Sequence, residues 1–242
     1  MKNTIKYILQ KILGFHTYLY VFALFKIRTL RTDANEKDFF RFLEMLQDGK
    51  GDVLDIGANL GIMTVHLAQK LPNSTIHAFE PMPSNISVLK RIIRKFKLNK
   101  TKVHALALGD TAGTVKMILP EQGKTKMQGL SHVKHESISE WNEGQEFEVP
   151  IEMLDNVING QAVQAIKIDV ENFEYFALKG GMRILQNNKP LIYAELWDNE
   201  NRTKCFRLLG DMGYVSHVVD KNSLVKFEAD KHTNQNFIFI AN

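Results

Sequence analysis

The 242-residue sequence lacks the features on which several classes of protein depend. It contains one cysteine, Cys205, so an internal disulfide is excluded and a reducing compartment is expected. A lone cysteine is no metal site either, and Cys205 is best interpreted as a small buried apolar residue. Neither an internal repeat nor a low-complexity tract is present. With 44% hydrophobic and 24% charged residues, the chain fits one globular domain with a full-sized core, or one domain plus an extension.

Acidic residues are missing from the beginning of the chain. Up to Thr32 there are six Lys or Arg and no Asp or Glu, whereas the remainder holds slightly more acids than bases. The net charge of +4 therefore arises in the first segment and does not describe the body of the protein. A nucleic-acid-binding protein with a basic surface is not expected to have this distribution.

A long apolar run is also absent. The longest uncharged run, Ile12 to Phe25, is too short to cross a bilayer and includes His16, and no small-residue cleavage site follows it. Residues 1–50 are predicted to form a helical extension, which packs on the domain or on a second subunit in a homodimer. The alternative is an interfacial helix that holds a cytoplasmic protein at a membrane surface. In that case the basic residues facing anionic lipid are Lys2, Lys6, Lys11, Lys26, Arg28 and Arg31.

From residue 51 onward, short apolar runs alternate with segments of helical spacing. This rhythm predicts a parallel sheet with helices on both faces. The strands are expected at Val53–Ile56, Thr75–Phe79, Val103–Leu108, Ala165–Val170, Leu191–Leu196, Tyr214–Val219 and Asn236–Ile240. The helices are expected at Leu60–Leu71, Ser84–Phe96, Glu174–Leu185 and Arg202–Met212. Residues 113–150 break the rhythm, and the polar stretch 122–144 within them is interpreted as a substrate-facing insertion in a domain of residues 51–242.

The stretch DIGANLG, Asp55 to Gly61, marks the ligand edge of that sheet. Its pattern D-x-G-x-N-x-G lacks the middle glycine that dinucleotide binders use to approach pyrophosphate, and Asn59 stands in that place. No phosphate loop of the G-x-x-x-x-G-K-[ST] type is present. Glu80 ends the second strand at the position of a ribose-binding acid, and Asp110 follows the third. An adenosine without phosphate, S-adenosylmethionine, meets these requirements.

The segments DIGANLG, FEPMPSN, ALGD and IKIDVENFEYFALKG, in this order, resemble the FkbM family of S-adenosylmethionine-dependent methyltransferases. The resemblance implies a Rossmann-like class I methyltransferase fold with a seven-stranded, mostly parallel sheet whose last strand is antiparallel. It also implies that the cofactor site comprises Asp55, Ile56, Gly57, Ala58, Asn59, Gly61, Glu80, Pro81, Leu108, Asp110 and Asp169. The family ordinarily has Gly where this chain has Asn172, the type of residue that adopts positive φ most readily after Gly.

The sequence offers several groups that could take a proton from an acceptor hydroxyl. We predict Asp169, Glu171 and His135 as catalytic, with His132, Glu174 and Glu195 as further candidates. Glu174 also suits the first turn of a helix, and both histidines suit a solvated surface. Mg²⁺ bound by Asp169, Glu195 and Asp198 is compatible with the sequence, but the spacing does not demand a metal.

The family resemblance points to methylation of a hydroxyl on a sugar, glycolipid or secondary metabolite, so a small molecule or glycan is the expected partner. Methylation of nitrogen, a nucleotide-dependent oxidoreductase and a non-enzymatic cofactor-binding protein remain open alternatives. Nucleic-acid methylation is disfavoured by the charge distribution.

Overall fold

The computed structural model describes residues 2–123, 125–136, 138, 141 and 143–242, with side chains from Ile5 onward. An eight-stranded sheet forms its centre. The strands of this sheet are β1 Asp52–Ile56, β2 Ile76–Phe79, β3 Thr101–His104, β9 Val163–Ile168, β10 Leu191–Glu195, β11 Tyr214–Asp220, β12 Ser223–Lys226 and β13 Asn236–Ala241. Their order is β12-β11-β13-β10-β9-β1-β2-β3.

This sheet confirms the predicted fold class with one correction. Strands β3, β2, β1, β9 and β10 are parallel neighbours, and β13 runs antiparallel between β10 and β11. The predicted seven strands are present, but β12 adds an eighth at the edge. It pairs antiparallel with β11 across a tight turn at Lys221 and Asn222, both with positive φ. β12 was not predicted because its four residues, Ser223–Lys226, contain no continuous apolar run.

Helices cover both faces because successive strand residues point to opposite sides. Val53, Ala165 and Tyr193 belong to a core with helices on one face, whereas Leu54, Ile166 and Ile192 belong to the core on the other. The helices that follow the strands are α4 Ile62–Lys70, α5 Pro83–Phe96, α6 Leu154–Val157, α7 Glu174–Lys179, α8 Met182–Asn188 and α9 Glu200–Asp211. Cys205 of α9 is a fully buried member of this core, as its sequence role predicts.

The predicted helix Glu174–Leu185 is wrong in its continuity, since α7 and α8 are separate. The break falls at Gly180 and Gly181. A Cβ on Gly180 would lie 1.9 Å from the carbonyl oxygen of Gly109, and one on Gly181 would lie 2.8 Å from Leu154. The two glycines therefore allow the chain to pass directly beneath neighbouring backbone, a requirement that helical spacing does not reveal.

Residues before β1 form three helices, α1 Lys2–Leu13, α2 Phe15–Thr29 and α3 Lys37–Met45. Gly14, with φ of 72°, separates the first two. Buried Leu19 and Ala23 of α2 pack with residues of α4 and α5, while α3 places Phe39 and Phe42 in the core beside Tyr193. Most of the predicted extension is thus continuous with the core, and a boundary at residue 50 stays a prediction.

A second, smaller sheet occupies the region that interrupts the alternation. It contains β4 Ala107–Gly109, β5 Gly113–Gln122, β6 Thr125–Lys126, β7 His132–Val133 and β8 Gly144–Met153. The predicted third strand Val103–Leu108 is therefore wrong in its bounds: β3 is Thr101–His104, and residues 107–108 belong to β4, which pairs with β8. Of the predicted insertion 122–144, residues 124, 137, 139, 140 and 142 lie outside the described part of the chain.

Candidate active site

A cleft opens where the carboxyl ends of β1, β2 and β9 meet the second sheet. Its lining combines the predicted edge of the main sheet with residues of the interrupting region. The lining residues are Ile56, Gly57, Asn59, Phe79, Glu80, Pro81, Asn85, Leu106, Ala107, Leu108, Met117, Gln128, Gly129, Ser131, Val133, Asp169, Val170, Glu171 and Phe173. The cleft thus lies where an open α/β sheet ordinarily binds its ligand.

The turn after β1 forms the floor of the cleft. Gly57 has φ of +76°, and a Cβ there would lie 1.8 Å from the carbonyl oxygen of Asp169. Only glycine allows the turn to touch the end of β9 so closely. Asn59, also with positive φ of 51°, ends the turn. Its side-chain oxygen accepts a hydrogen bond from Gln128 Nε2 at 2.5 Å, which joins the turn to the second sheet.

Glu80 presents a fixed carboxylate beside this turn. Its Oε2 accepts from the backbone N–H of Asn59 at 2.8 Å, and its Oε1 accepts from the N–H of Met82 at 2.8 Å and from Asn85 Nδ2 at 3.3 Å. Burial raises the pKa of Glu80 to about 7, although these three donors and the charge of Lys167 lower it. A carboxylate has about four lone-pair positions, so with three donors already bound, one position on Oε2 stays open for a hydroxyl donor of a ligand.

A buried lysine lies beneath the floor of the cleft. Lys167 Nζ donates to the carbonyl oxygen of Gly57 at 2.9 Å and lies 3.5 Å from Asp55 Oδ1 and 3.9 Å from Asp169 Oδ2. Thr64 Oγ1 donates to the other oxygen of Asp55 at 2.5 Å. Burial opposes the charge of Lys167, but the carboxylates of Asp55 and Asp169 outweigh this effect and raise its pKa. Asp55, predicted to line the cofactor site, is fully buried and instead supports the turn from inside.

Carboxyl groups concentrate on the side of the cleft formed by β9 and β10. Burial raises the pKa of Glu171 well above its usual range, and the charges of Asp169, Glu195 and Glu174 add to this effect. Burial and the charge of Asp169 raise the pKa of Glu195 to about 7, against the opposing charge of Lys167. Glu171 therefore carries a proton near neutral pH, and this edge of the cleft can both donate and accept hydrogen bonds.

The loop that carries Asp169 and Glu171 is held in an unusual conformation. Glu171 and Asn172 both have positive φ, 54° and 73°. Asn172 accepts from Asn199 Nδ2 through its side-chain oxygen at 2.8 Å and from Asn201 Nδ2 through its carbonyl at 3.0 Å. Glu174 Oε1 accepts from the N–H of Val170 at 2.9 Å. The predicted positive φ of Asn172 is confirmed, and the predicted helix-start role of Glu174 agrees with this bond.

Several predicted residues lie elsewhere. Asp110, predicted for the cofactor site, is absent from the cleft lining and pairs with Lys179 at 2.8 Å; the chain leaves the main sheet at His104, before it reaches Asp110. Gly61 begins α4, where a Cβ would lie 2.6 Å from Leu89. Its requirement for glycine arises from packing against α5.

Ala58 and the two predicted histidines support the cleft from behind. Ala58 is buried against Ala78 and Leu89. The ring of His135 lies 5.6 Å from that of Phe173, which lines the cleft, and 4.6 Å from that of Phe176. His132 is buried in β7, with Nδ1 2.9 Å from the carbonyl oxygen of Leu130. Neither histidine lines the cleft.

Sequence reasoning missed residues that approach the cleft from distant segments. Gln128 and Met117 carry no motif, and only the fold brings them to the lining. Phe173 lies within IKIDVENFEYFALKG but was not singled out as a site residue. Glu36 lies between α2 and α3, and its pKa is raised by burial, lowered by Lys26, and raised further by Asp33 and Asp169. The segment that was expected to lie outside the site therefore places a carboxyl group in the electrostatic environment of Asp169.

The structure offers no evidence for the magnesium site considered above. Within the described ranges, no group of three or more His, Cys, Asp or Glu side chains is arranged to hold a metal ion. Asp198, one of the three residues considered, is largely exposed and pairs with Arg202.

Comparison with known proteins identifies the family. Residues 55–232 match the family described as "Methyltransferase FkbM domain". "Methyltransferase 1" of Beauveria bassiana (strain ARSEF 2860) is 27% identical over 142 residues, which are 53% of this chain and 57% of that protein. "Methyltransferase sdnD" of Sordaria araneosa is 23% identical over 192 residues, 67% of this chain and 73% of that protein.

Solved structures share the fold at low sequence identity. A methyltransferase FkbM from Methylobacillus flagellatus KT superposes with a TM-score of 0.58 at 16% identity, covering 86% of this chain and 48% of that one. A SAM-dependent O-methyltransferase from Thermotoga maritima gives 0.50 at 9% identity, covering 88% and 69%. The chain thus spans about half the length of the first of these structures and 57% of the first curated relative.

Proposed function

Because the chain belongs to the FkbM methyltransferase family, we propose that it transfers a methyl group from S-adenosylmethionine to a hydroxyl of a sugar, glycolipid or secondary metabolite. The observation that carries the cofactor assignment is the carboxylate of Glu80, fixed by the N–H groups of Asn59 and Met82 at the edge of the cleft. A carboxylate in this position accepts from a ribose hydroxyl, and Oε2 of Glu80 keeps a lone pair for that bond.

The remaining cofactor contacts follow from the lining. The bare backbone of Gly57 leaves room for the methionine portion, and the carboxylate of Asp169 suits its ammonium group or the cationic sulfonium. Leu106, Ala107 and Leu108 offer an apolar wall for the adenine ring in place of Asp110. Asn59 stands where dinucleotide binders use a glycine to approach pyrophosphate, and Gln128 holds its side chain within the lining. This arrangement supports an adenosyl cofactor over a dinucleotide.

The bound cofactor supplies a methyl group activated by its sulfonium. The residues of this chain have to align the acceptor oxygen with that carbon, and orientation alone supplies about 7–11 kcal/mol in favourable cases. A general base adds about 10²–10⁴-fold. Asp169 and Glu171 line the cleft. Glu195 is close enough to Asp169 for the charge of Asp169 to raise its pKa. We assign the base to Asp169 or the Asp169–Glu195 pair, with protonated Glu171 as a hydrogen-bond donor to the acceptor.

The acidic edge supports a hydroxyl acceptor. A neutral hydroxyl loses its proton during transfer, and Glu195, whose pKa is raised to about 7, is suited to accept a proton near pH 7. His135 does not line the cleft, and its ring packs on that of Phe173, so we assign it to positioning that ring.

The cofactor assignment predicts pH-dependent binding of S-adenosylhomocysteine. The pKa of Glu80, about 7, lies above its ordinary value, so the unliganded fold favours the protonated form. Ribose hydroxyls favour the carboxylate, so affinity should rise as pH rises through 7. Between pH 6 and pH 8 the ionised fraction changes by up to about tenfold, which sets the largest expected change in affinity. Calorimetric titration at these pH values measures it.

Glu80→Gln should weaken binding and remove this pH dependence, because an amide keeps only one acceptor and turns an N–H group toward Asn59 or Met82. Glu152→Gln is the matched control. Glu152 also accepts from a backbone N–H and an Asn amide, those of Met153 and Asn156, but lies outside the cleft. If the folded wild-type protein takes up no S-adenosylhomocysteine at millimolar concentration, the proposed function is wrong.

Asp169→Asn and Glu171→Gln should reduce turnover much more than folding stability. Loss of a general base predicts about a 10²–10⁴-fold decrease for Asp169→Asn. Loss of a donor to the acceptor predicts a smaller decrease for Glu171→Gln. Formation of S-adenosylhomocysteine from a panel of hydroxylated sugars and glycolipids, with thermal unfolding in parallel, provides the measurement. Near wild-type rates in both variants would remove these two residues from the mechanism.

A further inference from the structure

The first helix turns its apolar stripe away from the protein. Of the eight large hydrophobic side chains exposed within the described residues, seven belong to α1 and α2. Five of them lie on α1 and are Ile5, Ile8, Leu9, Ile12 and Leu13. Their spacing places them on one side of the helix. Ile12 is the most exposed of the eight, at 73%. A helix that only completes a core shows the opposite orientation.

Polar residues attach α1 to the rest of the chain. The side-chain amide of Gln10 forms two hydrogen bonds with the backbone of β6. It donates to the carbonyl oxygen of Lys126 at 3.2 Å and accepts from the N–H of Lys126 at 3.3 Å. Lys6 Nζ lies 3.7 Å from Met127 Sδ. These contacts hold the helix with its apolar stripe outward, so the orientation follows from specific bonds.

The charge around this stripe selects its partner. No acid occurs before Asp33, and Lys11, Arg28 and Arg31 are exposed. Two copies of this chain meeting through the stripe would bring like charges together. An anionic membrane surface instead complements the basic residues while its acyl region receives the apolar side chains. The side chain of Lys2, which sequence analysis also places there, lies outside the described part.

No single helix within the described residues is long and apolar enough to cross a membrane. Ile5–Leu13 and Phe15–Thr32 pass that test only as a pair, bent by 118° at Gly14. A short amphipathic helix with an outward apolar stripe is suited to lie in the membrane surface.

We propose that α1, with the start of α2, docks the protein on an anionic lipid surface. Met127 contacts α1 and is adjacent to Gln128, which lines the cleft and bonds Asn59. The docked surface is therefore joined to one wall of the cleft through Met127 and Gln128. Docking itself requires no turnover and stands apart from the proposed reaction.

Co-sedimentation of the full chain with phosphatidylcholine vesicles, with and without phosphatidylglycerol, tests the proposal. The protein should pellet with the anionic vesicles at low salt and be released as salt screens the attraction. Ile8→Gln combined with Ile12→Gln should reduce this binding by about tenfold or more, because two exposed apolar side chains are lost. Lys11→Glu should weaken binding to the anionic vesicles and leave the small residual binding to neutral ones unchanged.

Two control variants distinguish docking through α1 from non-specific binding to vesicles. Trp141→Gln removes the exposed large hydrophobic outside α1 and α2, and Lys226→Glu reverses a charge on β12, at the opposite edge of the sheet from α5 and its neighbour α2. Both should bind vesicles like the wild type. Thermal unfolding and S-adenosylhomocysteine titration of Ile8→Gln/Ile12→Gln should match the wild type, since both side chains are exposed.

Two results would overturn the proposal. One is absence of binding to anionic vesicles, or binding that the double variant leaves unaltered. The other is a dimer in sedimentation velocity that the double variant abolishes, which would give the stripe to a second copy. A protein that docks but takes up no S-adenosylhomocysteine would contradict the proposed function and leave the docking proposal standing.

Discussion

Gly57→Ala should weaken cofactor binding and destabilise the fold. The new Cβ would meet the carbonyl oxygen of Asp169 at 1.8 Å, at a backbone φ of +76° that alanine disfavours. Because the obstacle is backbone, β1 and β9 must separate where they form the floor of the cleft. We expect a loss of about 3 kcal/mol or more in the free energy of unfolding. We also expect at least about a tenfold weaker binding of S-adenosylhomocysteine. Urea denaturation and calorimetry measure these two effects.

Gly160→Ala separates the close approach from the conformational strain. Gly160 has φ of +81°, nearly that of Gly57, but no atom lies within 4 Å of its added Cβ. The left-handed conformation alone costs about 1–2 kcal/mol, and cofactor affinity should stay unchanged. If the two variants lose the same stability and both bind the cofactor normally, contact between the turn and β9 is not a requirement of the site.

Lys167→Met should be strongly destabilising. Lys167 is 3% exposed and is the cation within 4 Å of the fully buried Asp55, so its loss leaves a carboxylate in the core without its ionic partner. Removing one member of a buried ion pair costs about 3–5 kcal/mol. The carbonyl oxygen of Gly57 also loses its donor, so the glycine turn should loosen and cofactor affinity should fall. Denaturant titration and calorimetry report both effects.

A surface ion pair and a double variant provide the comparison. Lys179→Met breaks the pair with Asp110, whose side chains are 48% and 25% exposed, and should cost less than about 1 kcal/mol. Adding Asp55→Asn to Lys167→Met removes the stranded charge, so part of the lost stability should return. A double variant no more stable than Lys167→Met would mean that packing, and not charge, is what Lys167 contributes.

The fold could be predicted where local pattern and burial agree. The strands β1, β2, β9 and β10 were found because buried parallel strands are short apolar runs, and DIGANLG was placed correctly because the turn needs positive φ at Gly57. Errors arose where tertiary contacts decide. His104 ends β3 because the chain departs to pair with β8, and Gly180 ends α7 because Gly109 passes beneath it.

Site residues also divide into those that local sequence pattern predicts and those that tertiary contacts determine. Glu80, Gly57 and Asp169 were identified because they lie at strand ends, where sequence order determines position. Gln128 was not, because it reaches the cleft from the turn between β6 and β7. Glu36 was not either, since only the packing of the N-terminal helices brings its charge near Asp169. Asp110 was misplaced by the single error in β3. Asp55 is fully buried and accepts a hydrogen bond from Thr64, so it supports the turn, and its place in the cofactor site stays a prediction.

The hydrogen bond between Gln128 and Asn59 has a thermodynamic consequence. One end of this bond belongs to the glycine turn, and two residues from the other end the chain is tied to Gln10 of the first helix. A ligand in the cleft that favours one conformation of the segment from Lys126 to Gln128 also favours the corresponding position of α1. By reciprocity, the factor by which lipid changes the affinity for a nucleoside equals the factor by which the nucleoside changes the affinity for lipid.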